Sequence, residues 1–318
     1  MKRILVAVLA LFPAFAAAQA FPAKPVRMLL AFPPGGPTDI NARVFAQKLS
    51  ESMGQQVIVD NKPGAGGNLA AAEAAKAPAD GYTIFYNTSA ISIAPALYAS
   101  ISYDPLRDYA PVALTATVPL VLAIHPGLPA KSLPEFIAYA KANRGKLNYG
   151  SSGTGTITHL AGALFASQLG LQLQHIPYKG SAPALVDVAA GQTQMMIDTI
   201  STVLPYARDN RLRALAVAMP RRLAVLPEVP TLEEAAGLPG FEMSAWQGLV
   251  VPAATPKDVV ARLNAEVNKA VHNADLRQRL AAGGSEPLGG TSEQYAAYIR
   301  SELARWTKVV RDAGAKAD

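Results

Sequence analysis

No cysteine occurs in the 318 residues. That excludes disulfides, thiolate nucleophiles, Cys-ligated metals and a lipid-carrying cysteine anchor. Histidine is almost as scarce: His125, His159, His175 and His272 are the only four. They have no ligand-like spacing and no acidic cluster accompanies them, so neither a metal nor a cofactor is expected. Charged residues make up only 16% of the chain and hydrophobic ones 50%, the composition of a globular protein and not of a disordered one. The net charge of +6 is spread thinly. Beyond Lys2-Arg3, basic residues form no cluster except Arg221-Arg222, and no aromatic residues interleave with them, which argues against a nucleic-acid partner. After the N-terminal segment no run is long and apolar enough to span a bilayer.

That N-terminal segment, residues 1–20, carries Lys2 and Arg3, then ILVAVLALFPAFAAA, then Ala18-Gln19-Ala20. A basic start, a short apolar run broken by Pro13 and an A-x-A site predict a cleaved secretory signal peptide and a freely soluble mature chain.

What the rest does contain is a repeated unit. Residues 28–32 are a short apolar run of strand length. Residues 33–37 hold three prolines and two glycines and must turn. Thr38 or Asp39 can then cap a helix with Ile40, Val44 and Leu49 on its apolar side. The unit recurs at 56–60 (QVIVD), followed by NKPGAGGN and an Ala-rich helix over 69–77, and again at the strand 82–86 ending in Asn87-Thr88-Ser89. Strands alternating with helices predict a parallel sheet in an α/β domain. Residues 111–117 and 120–124 read as further strands, the second leaving this domain. A Pro-rich break at 125–129 and a helix capped by Ser132 follow. The alternation then starts afresh: strand and loop over 147–156, a helix with Leu160, Leu164 and Leu169, strands at 174–178, 194–198 and 212–218, and a helix capped by Ser181. Residues 246–251 read as a strand returning to the first domain. Two helices close the chain, one capped by Thr255 and one by a Thr291…Gln294 capping box. The division expected is residues 21–123 with 246–318 in a first lobe and 124–245 in a second.

Strand–turn–helix units place free N–H groups at the carboxyl edge of a sheet, where they favour an anion. Residues 33–39 offer one such terminus. Residues 150–156 offer another, with Ser151, Ser152, Thr154, Thr156 and Thr158 adding hydroxyls and Gly153 and Gly155 allowing close backbone approach. Neither a G-x-G-x-x-G nor a P-loop pattern is present. A nucleophile elbow fails as well, because Thr154 stands where G-x-S-x-G needs glycine. His159 could act as a base or pack locally. Lys179 could face an anion or lie on the surface. Asp198, at a strand end, could reach the crevice or serve as a cap. A hydrolase using His159 and a loop hydroxyl is the enzyme alternative, and a ligand-sensing partner of a membrane sensor is a third reading.

Taken in order, Phe32-Pro33-Pro34-Gly35-Gly36…Asp39…Ala42-Arg43, Asn61-Lys62-Pro63-Gly64-Ala65-Gly66-Gly67 and Ala79-Asp80-Gly81-Tyr82-Thr83 resemble the Bug (TctC-like) family. So do Tyr149-Gly150-Ser151…Gly153…Gly155…His159-Leu160, Pro177-Tyr178-Lys179-Gly180, Gly191-Gln192, Gly237…Pro239-Gly240-Phe241 and Trp246…Gly248. The resemblance spans residues 21–318 and implies a two-lobed α/β fold of the type II periplasmic-binding-protein kind, each lobe a sheet flanked by helices, with a hinge between. It implies a monomeric, non-catalytic periplasmic receptor that passes a small carboxylate to the permease subunits of a tripartite transporter. The carboxylate would be a di- or tricarboxylate, an acidic amino acid or an aromatic acid. Phe32, Pro34, Gly35, Gly36, Thr38 and Asp39 would bind it from the first lobe with Thr88 and Ser89. Ser151 through Thr156, with His159, Lys179 and Asp198, would bind it from the second. Residues 89–98 depart from the family pattern: a histidine common in relatives is missing, which speaks against a citrate-like ligand. A bulky side chain at Gly36 is expected to abolish binding without unfolding the protein.

Overall fold

The computed structural model describes residues 21–315, so the signal-peptide expectation at 1–20 lies outside the described residues. In the first lobe β1 (Val26–Leu30), β2 (Val57–Asn61) and β3 (Thr83–Thr88) pair in parallel in the order β2-β1-β3. In the second, β5 (Leu147–Ser151), β6 (Leu173–Pro177) and β7 (Met195–Thr199) do the same in the order β6-β5-β7. Helices cover both faces of such sheets, so alternate residues of β1 are buried on opposite sides: Met28 and Leu30 in one cluster, Leu29 in another.

The link between the lobes is β4 (Tyr109–Ile124), 16 residues long. The sequence suggested two strands here. They are one, antiparallel to β9 (Ser244–Pro252) along its first part and to β7 and β8 (Arg213–Val217) along its last. β9 also pairs antiparallel with β3. β4 thus runs from one sheet into the other, with β9 beside its first part. The short β10 (Glu286–Gly289) adds to the outer edge of β4.

The helices are α1 (Pro37–Met53), α2 (Asn68–Ala75), α3 (Ala90–Leu97), α4 (Leu133–Ala142), α5 (Ile157–Leu169), α6 (Ser181–Ala189), α7 (Ile200–Arg208), α8 (Leu232–Ala236), α9 (Lys257–Val271), α10 (Ala274–Ala282) and α11 (Ser292–Asp312). Three caps differ from expectation. Gly36 precedes α1 and Pro37, which has no N–H to satisfy, occupies its first position, so neither Thr38 nor Asp39 caps it. Gly180 precedes α6, making Ser181 its first residue. Pro256 precedes α9, and Thr255 Oγ1 donates to the Pro252 carbonyl. The Thr291–Gln294 capping box of α11 is complete.

α11 does not stay in the first lobe. Tyr295 and Ile299 pack in a first-lobe cluster, whereas Trp306 and Val310 pack in the second-lobe core. The residues 246–318 assigned to one lobe are therefore shared, because the apolar stripe of this helix is long enough to serve two cores. Between its halves, buried Glu302 accepts the indole N–H of both Trp246 and Trp306 at 2.8 Å.

Candidate functional site

Five helices begin at one cleft between the lobes. α1 and α3 come from the first lobe and α5, α6 and α7 from the second. Gly36, Pro37 and Thr38 line it at α1, Thr88, Ser89 and Ala90 at α3, Thr156, Ile157 and Thr158 at α5, Gly180 to Pro183 at α6, and Asp198 with Thr199 at α7. Phe32, Pro33, Pro34, Ser152 and Lys179 form the remaining wall, and Ala245 and Gln247 of β9 complete it. Each helix start directs partial positive charge inward. Lys179 is the only cationic residue among those lining the cleft, and no arginine is among them. A second cavity of about 740 Å³ adjoins it, sharing Phe32, Pro33, Ser152, Lys179 and Gly180 and reaching Gly153, Thr154 and residues 63–67. The lobes touch at this mouth. Tyr98 Oη donates to the Thr154 carbonyl at 3.1 Å, and a Cβ on Gly180 would stand 3.2 Å from the Pro33 ring.

Of the residues singled out from sequence, Phe32, Pro34, Gly36, Thr38, Thr88, Ser89, Ser152, Thr156, Lys179 and Asp198 line the main cleft. Gly153 and Thr154 line the adjoining cavity. Gly35, Asp39, Ser151, Gly155 and His159 line neither. Their roles are internal. The Asp39 carboxylate accepts from the Gly35 N–H at 3.0 Å, Arg43 Nε at 2.9 Å and Asn61 Nδ2 at 3.0 Å, which shapes the first loop from behind. Burial pushes its pKa up, but the hydrogen bonds from Arg43, Gly35 and Asn61 outweigh this and hold it below the usual value. Gly36 lines the cleft, and a Cβ there would meet only the Pro33 carbonyl at 3.6 Å.

Ser151 is fully buried and shares a 2.6 Å hydrogen bond with His175 Nε2, while its Oγ also accepts from the Gly153 N–H. His159 stacks on His175 with ring centroids 4.1 Å apart, and its Nδ1 accepts from the Gly155 N–H. The histidine proposed as a base is thus a brace beneath the second loop, with no cleft hydroxyl bonded to it. Burial lowers its pKa to about 4, and burial with the neighbouring ring lowers that of His175 to about 3.

These shifts have a definite sign. Both folded values lie below the ordinary 6.5, so the pair contributes fully above pH 6.5. As pH falls, the unfolded chain takes up protons that the folded one refuses until about pH 4 and then 3. Stability is lost across that window, by about 3 kcal/mol at most for His159 alone. Asp198 works oppositely: its folded value is raised to about 6 from 3.8, adding stability as pH falls between those values. Calorimetry should therefore show the melting temperature falling more steeply from pH 6.5 to 4 in the wild type than in His159→Gln. Parallel curves would refute this role for the histidine.

Asp198 is fully buried at the end of β7. Ser181 Oγ donates to its Oδ1 at 3.0 Å, Thr199 N–H to the same oxygen at 2.7 Å, and Thr202 Oγ1 to Oδ2 at 3.2 Å. Burial raises its pKa, and these hydrogen bonds only partly offset the effect.

Several cleft residues were not singled out as ligand contacts from sequence, among them Ala90, Ser181, Thr199, Ala245 and Gln247. Gln247 is the most informative: its Oε1 accepts from Asn41 Nδ2 and Tyr86 Oη, both at 2.9 Å, which orients the amide nitrogen as a donor. Nothing local in Trp246-Gln247-Gly248 marks that role, since both partners lie more than 150 residues away. Among the described residues no group of His, Asp or Glu is arranged to hold a metal, and no helix is long and apolar enough to cross a membrane.

Residues 41–315 match the model of the tripartite tricarboxylate transporter family receptor, TctC. The chain is 38% identical over 301 residues to protein BugT of Bordetella pertussis, covering 94% of this chain and 92% of BugT. Two solved structures from Rhodopseudomonas palustris superpose closely. Rpa4515 with adipate gives a TM-score of 0.89 at 37% identity, covering 92% of this chain and 98% of that one. MatC with bound malate gives 0.87 at 35%, covering 91% and 100%. Matched over nearly its whole described length in sequence and in fold, the chain belongs to the TctC (Bug) family of solute-binding receptors.

Proposed function

We propose that the protein captures a small carboxylate between its lobes in the periplasm, closes over it by bending at β4 and β9, and releases it unchanged to the permease of a tripartite transporter. The observation that carries this reading is the convergence of five helix starts on a cleft without arginine. One terminus contributes about 0.3–1 kcal/mol toward an anion, and up to about 2 when partly buried. Micromolar binding needs roughly 8 kcal/mol. Termini from both lobes, direct hydrogen bonds and exclusion of water on closure together reach that figure where one loop would not. The adipate and malate held by the two similar structures support a carboxylate as the ligand, and family membership supports the transporter as the partner.

Calorimetric titration with a panel of di- and tricarboxylates, acidic amino acids, aromatic acids and neutral sugars tests the ligand class. Micromolar binding of at least one acid is expected, with no heat from the sugars. Sugar binding with no response to any acid would overturn the proposal.

A further inference from the structure

One tyrosine makes the polar link between the lobes at the cavity mouth. Tyr98 directly follows α3, and its ring packs against hydrophobic clusters of both lobes. Its Oη donates to the Thr154 carbonyl at 3.1 Å. Burial raises its pKa, so the hydroxyl keeps the proton it donates. Among the described residues no other hydrogen bond joins residues 21–108 to residues 125–243. Elsewhere the lobes are joined through β4 and α11.

The seat of this side chain is made by glycine on both sides. A Cβ on Gly66 of the first lobe would stand 2.7 Å from both the Thr154 carbonyl oxygen and Tyr98 Oη. A Cβ on Gly155 of the second lobe would stand 2.8 Å from the Tyr98 ring. Both distances are too short for a real side chain, so the bond depends on bare backbone at each position. Tyr98 lines the cavity of about 740 Å³ together with residues 63–67, Gly153 and Thr154. Residues 63–67 line no part of the main cleft. Their close approach to Thr154 and Tyr98 gives the glycine-rich 61–67 motif a place at the junction of the lobes.

We infer that Tyr98 is a clasp whose bond to Thr154 across the cavity mouth holds the lobes together and sets how fast a captured ligand leaves. This rests on the capture reading above and adds the contact that governs release. Opening the lobes must break the bond, whereas a ligand entering the open cleft meets neither partner engaged. The clasp therefore acts on dissociation and leaves association largely unchanged.

Tyr98→Phe keeps the ring and removes the hydroxyl. Release of adipate or L-malate, timed by stopped flow, should be about 3- to 10-fold faster than in the wild type. Association should stay within about 2-fold, and the melting temperature within about 3 °C. A merely structural tyrosine would lower the melting temperature without touching release. Tyr98→Ala also empties the seat between Gly66 and Gly155 and should release faster still. Release unchanged in both variants would overturn the inference and leave the carboxylate reading standing. Should neither acid bind the wild type, small-angle X-ray scattering of the chain alone decides. The radius of gyration should then be larger in Tyr98→Ala, and an equal radius would overturn the clasp. The carboxylate reading falls only if the wider panel is silent as well. Should Tyr98→Ala fail to fold, Tyr98→Phe carries both readouts.

Discussion

Gly180→Val is expected to weaken ligand binding by about 100-fold or more while the protein remains folded. Gly180 sits at φ +113°, and a Cβ there would already stand 3.2 Å from the Pro33 ring of the opposite lobe. The valine methyl groups add bulk at that contact, so the lobes cannot approach as closely. A ligand then loses the partners that one wall supplies. Two hydrogen bonds to a charged ligand are worth about 3 kcal/mol or more together, and each 1.4 kcal/mol is tenfold in affinity. The backbone conformation costs an L-residue roughly 1–3 kcal/mol, which lowers the melting temperature by several degrees without unfolding the chain. Titration with the best acid of the panel, alongside a melting curve, separates the two effects. Wild-type affinity in a folded Gly180→Val protein would show that closure at this contact is not needed for binding.

Glu302→Ala should be the most damaging single change to stability. The chain has only two tryptophans, and both donate their indole N–H to this one carboxylate at 2.8 Å, with Arg305 pairing at 3.1 Å. Trp246 belongs to a first-lobe cluster and Trp306 to the second-lobe core. Removing the acceptor leaves two buried donors unpaired, at about 1–3 kcal/mol each. A loss near 4 kcal/mol corresponds to a fall of roughly 10 °C in a chain of this size. Glu302→Gln keeps an acceptor oxygen and should lose much less. Because the two indoles are the only ones present, tryptophan emission should shift in the alanine variant as the N–H groups change surroundings. A melting temperature within about 2 °C of wild type would refute the argument.

How much of this was legible in the chain depended on the range of the forces involved. The strand–turn–helix units could be read because burial period and turn chemistry act over a few residues: 28–54 and 147–169 carry both signals within one window. The same locality explains what went unread. α3 is a helix although Ala90–Leu97 holds two isoleucines and Pro95, and α7 although Ile200–Arg208 holds Pro205. Intrinsic preference disfavours both helices, and burial of Ile91, Ile93 and Leu97, and of Ile200, Val203 and Leu204, overrides it. Both supply termini to the cleft. Asp39 and His159 were visible as polar residues in the right loops, but whether they point into the cleft or brace it from behind depended on Asn61 and His175, which come from other strands.

The sequence alone determined the alternation of strands and helices, the family and the two glycine-rich loops, all of which rest on short-range pattern. Only the tertiary structure decided that β4 is a single strand crossing both lobes, that α11 belongs to two cores, and that the Ser181 hydroxyl donates to Asp198. Those facts follow from hydrogen bonds and packing between residues distant in the chain. The direction in which a hydroxyl donates is set by its nearest acceptor in space, which no local spacing encodes.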